Sequence, residues 1–185
     1  MKTLLAIDLS TSCTGWALYE LDTGKLLEYG LIKPELPKGH TKWVNTKRAL
    51  YTINSMAEKV TAMILEKAPS KILIEQINRG INRISQKTLD GVHWMVLEQL
   101  RQKNVDLLDI VQFIDTIQWR GKLGLKLTEA DKKHNATMRR KKNKKAVINY
   151  KTLSVRFVNK EFEKEFTEAD NDVTDAICLG LYYFR

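Results

Sequence analysis

Two acidic residues stand at positions where a folded protein has little structural use for a charge. Asp8 ends the apolar run Leu4-Leu5-Ala6-Ile7, and Glu75 ends the apolar run Ile72-Leu73-Ile74. An unpaired carboxylate on a buried strand costs several kcal/mol or shifts its pKa by roughly 3 to 5 units. Two strands that carry the same cost suggest a shared counter-charge, and a divalent metal ion is the simplest one.

A third acidic motif opens the last apolar stretch of the chain. Asp172 and Asp175 stand three residues apart in Asp172-Val173-Thr174-Asp175-Ala176, so a helix would present both on one face. Oxygen ligands without a neighbouring His or Cys suit Mg²⁺ or Mn²⁺ rather than zinc. Two such ions about 3.5 to 4 Å apart can clamp the attacking and leaving oxygens of a phosphodiester displacement. The four carboxylates therefore predict a metal-dependent phosphoryl-transfer site.

Each carboxylate also has an ordinary structural explanation. Asp172, near the start of a helix, could interact favourably with the helix dipole. Asp8 could belong to a turn, and Glu75 could be an ion-paired strand end. The order of the three acidic motifs is stronger evidence than any of them alone.

The elements that must position these residues follow from hydrophobic periodicity. Strands are predicted at 2–8, 15–21, 25–33, 71–76 and 107–113, and helices at 41–67, 86–103, 144–162 and 171–184. The turn Asp22-Thr23-Gly24 predicts a hairpin, so the first three strands should form an antiparallel meander. This order predicts an α/β fold with a five-stranded mixed sheet flanked by helices on both faces.

Length and composition set limits on the class of protein. A chain of 185 residues, with 43% apolar and 29% charged residues, fits a single soluble domain spanning 1–185. No apolar run approaches about 20 residues, so neither a transmembrane helix nor a signal peptide is expected. Two cysteines far apart in sequence, Cys13 and Cys178, fit reduced thiols. We expect a cytosolic protein.

The positive charge is concentrated in one segment. Residues 118–151 contain twelve Lys and Arg against Glu129 and Asp131, a net +10 in a chain whose total is +9. Such a basic block on an otherwise neutral domain is typical of a protein that binds a polyanion. A solvated or disordered tail is the alternative, which the apolar helical sequence directly after the block weakens.

The three acidic motifs resemble those of the RuvC-type Holliday junction resolvases. The first is 6–17 (AIDLSTSCTGWA), the second is Ile74-Glu75-Gln76, and the third is the Asp-x-x-Asp-Ala that ends at Ala176. Their order and spacing match over nearly the whole chain, and the resemblance is closest to the shorter, phage-encoded branch. That branch implies a cytoplasmic location in a phage-infected bacterial cell.

The resemblance implies an RNase H-like fold, a homodimer, two Mg²⁺ or Mn²⁺ ions per site, and paired nicks in a four-way DNA junction. It assigns Asp8, Glu75, Asp172 and Asp175 as catalytic metal ligands, with Asp170 as the second choice for the third ligand. It places the dimer interface on the helix that contains Gly91 and Trp94, for which ordinary core packing is the alternative.

Nine basic residues are candidate DNA contacts. Arg79 and Arg83 follow the second motif, and Lys144 and Lys145 could lie near the scissile phosphate or only steer the DNA. The full set is Arg79, Arg83, Arg120, Arg139, Arg140, Lys141, Lys142, Lys144 and Lys145. Cellular RuvC proteins carry an aromatic wedge where this chain has Asn78, so we expect a broader activity that includes three-way junctions and forks.

Other functions share parts of the pattern. Actin-like kinases begin with a similar strand and turn, but they need two copies of the fold, and 185 residues are too few. An RNase H-type ribonuclease acting on RNA–DNA hybrids would use similar carboxylates. A non-catalytic protein that binds branched DNA is the third hypothesis, although such a protein has no reason to keep four carboxylates at its interface.

Overall fold

The computed structural model describes residues 1–76, 83–103, 106, 109–143 and 146–185. Its strands are β1 (Thr3–Asp8), β2 (Thr14–Glu20), β3 (Leu26–Ile32), β4 (Lys71–Glu75) and β5 (Val111–Ile114). They form one sheet in the order β3-β2-β1-β4-β5. The pairs β3–β2 and β2–β1 are antiparallel, whereas β1–β4 and β4–β5 are parallel. The predicted five-stranded mixed sheet, with an antiparallel meander of its first three strands, is confirmed.

Helices separate the parallel strands along the chain and follow the last of them. They are α1 (Asn45–Lys67), α2 (Arg83–Gln102), α3 (Thr116–Lys122), α4 (Glu129–Arg140), α5 (Tyr150–Phe162) and α6 (Asn171–Phe184). The last helix has the bounds that the sequence predicts. Within the described ranges, no helix combines the length and the apolarity needed to cross a bilayer.

Alternation of side chains along β1 divides the apolar interior into two cores. Leu5 and Ile7 pack under α1 and α2 on one face of the sheet. Leu4 and Ala6 pack on the opposite face together with residues of α5 and α6. Because strand side chains alternate with a period of two, Asp8 continues the row of Leu4 and Ala6. By the same rule Glu75 continues the row of Leu73, so both carboxylates point towards α6.

Several predicted elements begin at other residues than expected: α1 begins at Asn45 rather than at 41, and α2 at Arg83 rather than at 86. The predicted strand at 107–113 begins only at Val111, after a turn at 109–110, while 107 and 108 lie outside the described residues. The predicted helix at 144–162 begins at Tyr150, because the Asn149 side chain accepts hydrogen bonds from the first-turn amides and starts the helix there. The first turn of this helix therefore does not start at 144, and Lys144 and Lys145 themselves lie outside the described residues.

The basic block contains α3 and α4, which the periodicity does not predict. The two buried residues of α4 are polar, so there is no apolar stripe to find. One of them, Asp131, bonds Arg156 of α5 at 2.9 Å, and the other, Asn135, exchanges two hydrogen bonds with the backbone of Ile148 at 2.7 and 2.8 Å. Polar contacts thus pack α4 onto the fold, and the alternative of a disordered tail is wrong for this part of the block.

Candidate active site

The carboxylates of Asp8 and Glu75 lie at one edge of the sheet because their strands are parallel neighbours. Ile7 of β1 pairs with Ile74 of β4, and each strand ends one residue later. A cleft of about 230 Å³ opens at this edge, and its walls include Asp8, Glu75 and Arg120. Crevices at the carboxyl ends of parallel strands are the usual binding sites of open α/β sheets.

A glycine allows α6 to approach this edge closely. Gly15 pairs with Asp8 across the β1–β2 ladder. A Cβ atom at Gly15 would lie 1.8 Å from the carbonyl oxygen of Asp172, so no larger residue fits without moving the start of α6. The hydroxyl of Tyr19 donates a 2.8 Å hydrogen bond to the carbonyl of Ile177 and fixes α6 to the sheet further along. The strand edge and the first two turns of α6 are thereby brought together.

The four carboxylates influence one another electrostatically. Burial raises the pKa of Asp8 well above its ordinary value, and repulsion from Glu75, Asp175 and Asp172 adds to the shift. Burial also raises the pKa of Asp175 to about 6, an effect that the neighbouring Ser154 and Arg120 side chains oppose. Several acidic groups in a small, poorly solvated volume favour protonation or a bound cation.

Asp175 contacts a positively charged side chain of the same chain, that of Arg120. Asp175 is 4% exposed, and its Oδ2 lies 3.6 Å from a terminal nitrogen of Arg120. Its Oδ1 is buried without a hydrogen-bond partner among the described residues. The guanidinium of Arg120 lies between aromatic rings, 4.8 Å from the Trp119 centroid and 5.0 Å from that of Tyr150. Arg120 therefore contacts a carboxylate of the cleft, whereas the sequence assigned it only a DNA contact.

Glu75 is oriented by helix α3, a support that sequence reasoning missed. Its Oε1 accepts hydrogen bonds from the Thr116 hydroxyl at 2.5 Å and from the indole nitrogen of Trp119 at 3.3 Å. His93 of α2 is buried behind it, with Nε2 3.4 Å from the Glu75 carbonyl. The sequence feature that could have revealed α3 is Asp115, which follows β5 directly and whose side chain caps the start of this helix.

Asp172, rather than Asp170, joins the other carboxylates. Asp172 accepts a 2.5 Å hydrogen bond from Asn171 and lies 3.8 Å from the Nζ of Lys151. The side chain of Asp170 instead accepts hydrogen bonds from the amide and hydroxyl of Thr167, at 2.8 and 2.9 Å, and caps a short 3₁₀ turn. These bonds lower the pKa of Asp170. Lys151 is a second cation at the site that the sequence did not single out.

The other candidate DNA contacts are distributed over the surface. Arg83 is exposed at the start of α2, where the prediction put the loop before the helix. Four exposed basic residues end α4 and form the turn after it, and among the described residues none of them makes an ion pair with a carboxylate. They are Arg139, Arg140, Lys141 and Lys142. The predictions for Asn78, Arg79, Lys144 and Lys145 fall outside the described residues.

The chemistry of this site suits a hard divalent cation. Its donors are carboxylate oxygens, and one of them, Asp175 Oδ1, is buried without a partner within the described part of the chain. As the side chains stand, no three acidic, His or Cys residues of the described ranges form a ready-made metal site. One of the carboxylate oxygens, Oδ2 of Asp175, contacts Arg120 instead. The residue types fit a hard cation, and Asp8, Glu75, Asp172 and Asp175 are those that would hold it.

The fold is of the RNase H-like type found in RuvC structures, as predicted. Thermus thermophilus RuvC superposes with a TM-score of 0.61 at 12% identity, over 98% of this chain and 93% of that chain. The same protein in complex with a Holliday junction substrate gives 0.59 at 11% identity, over the whole of this chain and 93% of that chain. The yeast mitochondrial Holliday junction resolvase Ydc2 gives 0.51 at 11% identity, over 97% and 79%. No family model and no curated protein matches the sequence.

Proposed function

We propose that this protein is a metal-dependent endonuclease that nicks branched DNA, with four-way junctions as the principal substrate. The proposal rests chiefly on the grouping of Asp8, Glu75 and Asp175, in which burial first, and then repulsion from the neighbouring carboxylates, raise the pKa of Asp8. A protein that only binds DNA gains nothing from negative charge at its interface. The fold shared with RuvC, which has been solved with a Holliday junction, supports the choice of substrate.

Asp8, Glu75, Asp172 and Asp175 would hold the metal ions. Two divalent cations bound there would supply charge stabilisation to the attacking water and to the leaving oxygen of the phosphodiester. Mg²⁺ is the natural choice for an all-oxygen site, and Mn²⁺ can substitute. The hydrogen bonds from Thr116 and Trp119 keep Glu75 oriented.

Arg120 and Lys151 are the cations nearest to these carboxylates. With a metal ion bound to Asp175, the guanidinium of Arg120 would be available to a phosphate oxygen, which its planar fork can bind bidentately. Lys151 is 58% exposed at its side chain and lies on the solvent side of Asp172. Both residues would neutralise the scissile phosphate and hold it against the carboxylates.

The test is a nicking assay with the Asp8→Asn variant. We expect nicking of a four-way junction in Mg²⁺ to fall at least roughly a hundredfold, because one of the groups that hold the cations is lost. Binding of the same junction should be retained or become tighter, since one negative charge is removed. Asp22→Asn, an exposed carboxylate in the β2–β3 turn, is the matched control. Unchanged nicking by Asp8→Asn would refute the site assignment.

The substrate panel separates the competing functions. Four-way junctions, three-way junctions, forks, linear duplex and an RNA–DNA hybrid are compared under identical conditions. Preference for the hybrid would identify an RNase H-type ribonuclease, and binding of junctions without cleavage of any substrate would identify an architectural protein. We expect nicking of all branched substrates and little dependence on the sequence at the junction core.

A further inference from the structure

A polar groove of about 690 Å³ opens beside the β1–β2 loop. It is larger than the cleft that contains Asp8. Its walls come from the β1–β2 loop, the segment after β3 and the first turns of α1 and α2. The lining residues that carry the argument are Thr11, Ser12, Lys33, His40, Asn45 and Arg48.

The groove carries positive charge that no carboxylate neutralises. None of its lining residues is Asp or Glu. Glu35, the acid nearest to Lys33 in sequence, is paired with Lys59 at 2.6 Å. Lys33 and Arg48 make no ion pair among the described residues, and the residues outside those ranges include no Asp or Glu. Two basic side chains and several hydroxyl and amide groups therefore line an open groove whose described walls contain no carboxylate.

The groove is adjacent to the carboxylate cluster. Leu9 lines the cleft and Ser12 lines the groove, and the thiol of Cys13 follows Ser12 directly in the chain. Burial and the neighbouring Asp172 carboxylate raise the pKa of this thiol, and Lys33 lowers it, so both charged groups are close to it. An extended ligand can therefore contact the carboxylate cluster and the groove together.

The start of α1 adds further donors. The residue at its N-cap is Val44, whose side chain cannot accept a hydrogen bond from the first-turn amides. Asn45 and Arg48, in the first turn, line the groove. The positive end of a helix of 23 residues reinforces the two cations, since both favour an anion at the same place.

We propose that this groove binds backbone phosphates of the nucleic-acid strand that is cleaved, with Lys33 and Arg48 as the principal ligands of one phosphate each. The inference rests on the proposed nuclease function and extends it. Side chains that bind backbone phosphates do so at any base sequence, because every nucleotide carries a phosphate. The groove would thus fix the position of the strand along the cleft while the carboxylates act on it.

The experiment measures binding of a four-way DNA junction by fluorescence anisotropy, in Mg²⁺ and in the Asp8→Asn background that prevents cleavage. Lys33→Gln and Arg48→Gln are each expected to weaken binding roughly threefold to fivefold at 0.15 M salt. Together they should reduce the slope of log K against log salt by about 2, one unit for each phosphate that is no longer neutralised. The double variant Lys38→Gln/Lys160→Gln removes two exposed lysines outside the groove and is the control for net charge.

The outcomes separate this inference from the proposed function. If the wild-type chain neither binds nor nicks junctions, the proposed function fails. If the wild-type chain nicks them but Lys33→Gln/Arg48→Gln matches the control in both affinity and salt slope, the groove is not a phosphate site and this inference alone fails. A larger reduction of the slope than in the control, with circular dichroism unchanged, supports it.

Discussion

Asp175 is the residue at which folding and chemistry conflict. Its carboxylate is almost completely buried, near Asp8 and Glu75, and its cationic neighbours Arg120 and Lys151 do not restore its ordinary pKa. A residue selected for stability at this position would be apolar. Protonation at low pH, or the cation proposed to bind here at neutral pH, would resolve the conflict.

This conflict predicts an unusual pH dependence of stability in the metal-free protein. The pKa of Asp175 is about 6 in the folded chain against an ordinary 3.8, so the folded state binds more protons between these values. Stability therefore falls as pH rises from about 4 to 6.5, by on the order of 2 to 3 kcal/mol. Urea unfolding in EDTA at several pH values measures it.

Asp175→Asn isolates this contribution, because other groups titrate in the same window. Asp8 shifts in the same direction, whereas burial lowers the pKa of His93 and makes its contribution opposite in sign. As pH rises, the free energy of unfolding of the wild type should fall relative to that of the variant. A difference that is independent of pH would contradict the assignment.

At the scale of elements, α6 is both a core helix and a carrier of two carboxylates. Its inner residues belong to the same core as Leu4 and Ala6 of β1. Its first residue follows a capped 3₁₀ turn, and its backbone touches Gly15 of β2. The position of Asp172 over Asp8 therefore depends on packing between a helix and a strand.

Replacing Gly15 tests that dependence. In Gly15→Ala the new methyl group meets the carbonyl of Asp172, which is backbone and cannot turn aside, so α6 must shift. We expect a loss of about 1 to 3 kcal/mol in unfolding free energy together with strongly reduced nicking. Gly121→Ala is the control, since a Cβ there meets nothing within 4 Å and lies in a helix. Equal stability and activity of the two variants would refute this account.

The sequence indicated the strands and the acidic edge well, for a physical reason. An apolar run that ends in a charge identifies both a buried strand and the residue that emerges from it, as at Asp8 and Glu75. The start of α5 was wrong because apolar spacing was weighted above the cap at Asn149. The contact between Arg120 and Asp175 has no local signal at all, because it depends on how α3 packs after the chain has folded.

At the scale of the whole molecule, paired nicking of a junction needs two active sites, and we propose a homodimer. The predicted interface lies on the helix that contains Gly91 and Trp94. Gly91 packs closely against Ile53 of α1 within the same chain, so ordinary core packing, the alternative, accounts for this residue. Trp94 is 68% exposed on α2. An exposed Trp is a typical centre of a protein interface.

If the homodimer forms through Trp94, the substitution Trp94→Lys should disrupt it. A charge at the centre of an apolar interface is costly, so we expect a monomer by light scattering at concentrations where the wild-type chain is a dimer. Junctions should then be nicked once and not in pairs, as resolved by denaturing gels. Leu65→Lys, at an exposed apolar residue of α1, is the control. A Trp94→Lys variant that remains dimeric would exclude this interface.

The polar attachment of α4 has a consequence for how such a protein can diversify. The helix is held by Asp131 and Asn135, and its basic end projects from the fold. A surface helix attached in this way can be lengthened, replaced or given a different charge without repacking either core. Lineages that share the acidic edge could thus change the charge they present to a ligand through this one segment, with the edge itself inherited unchanged.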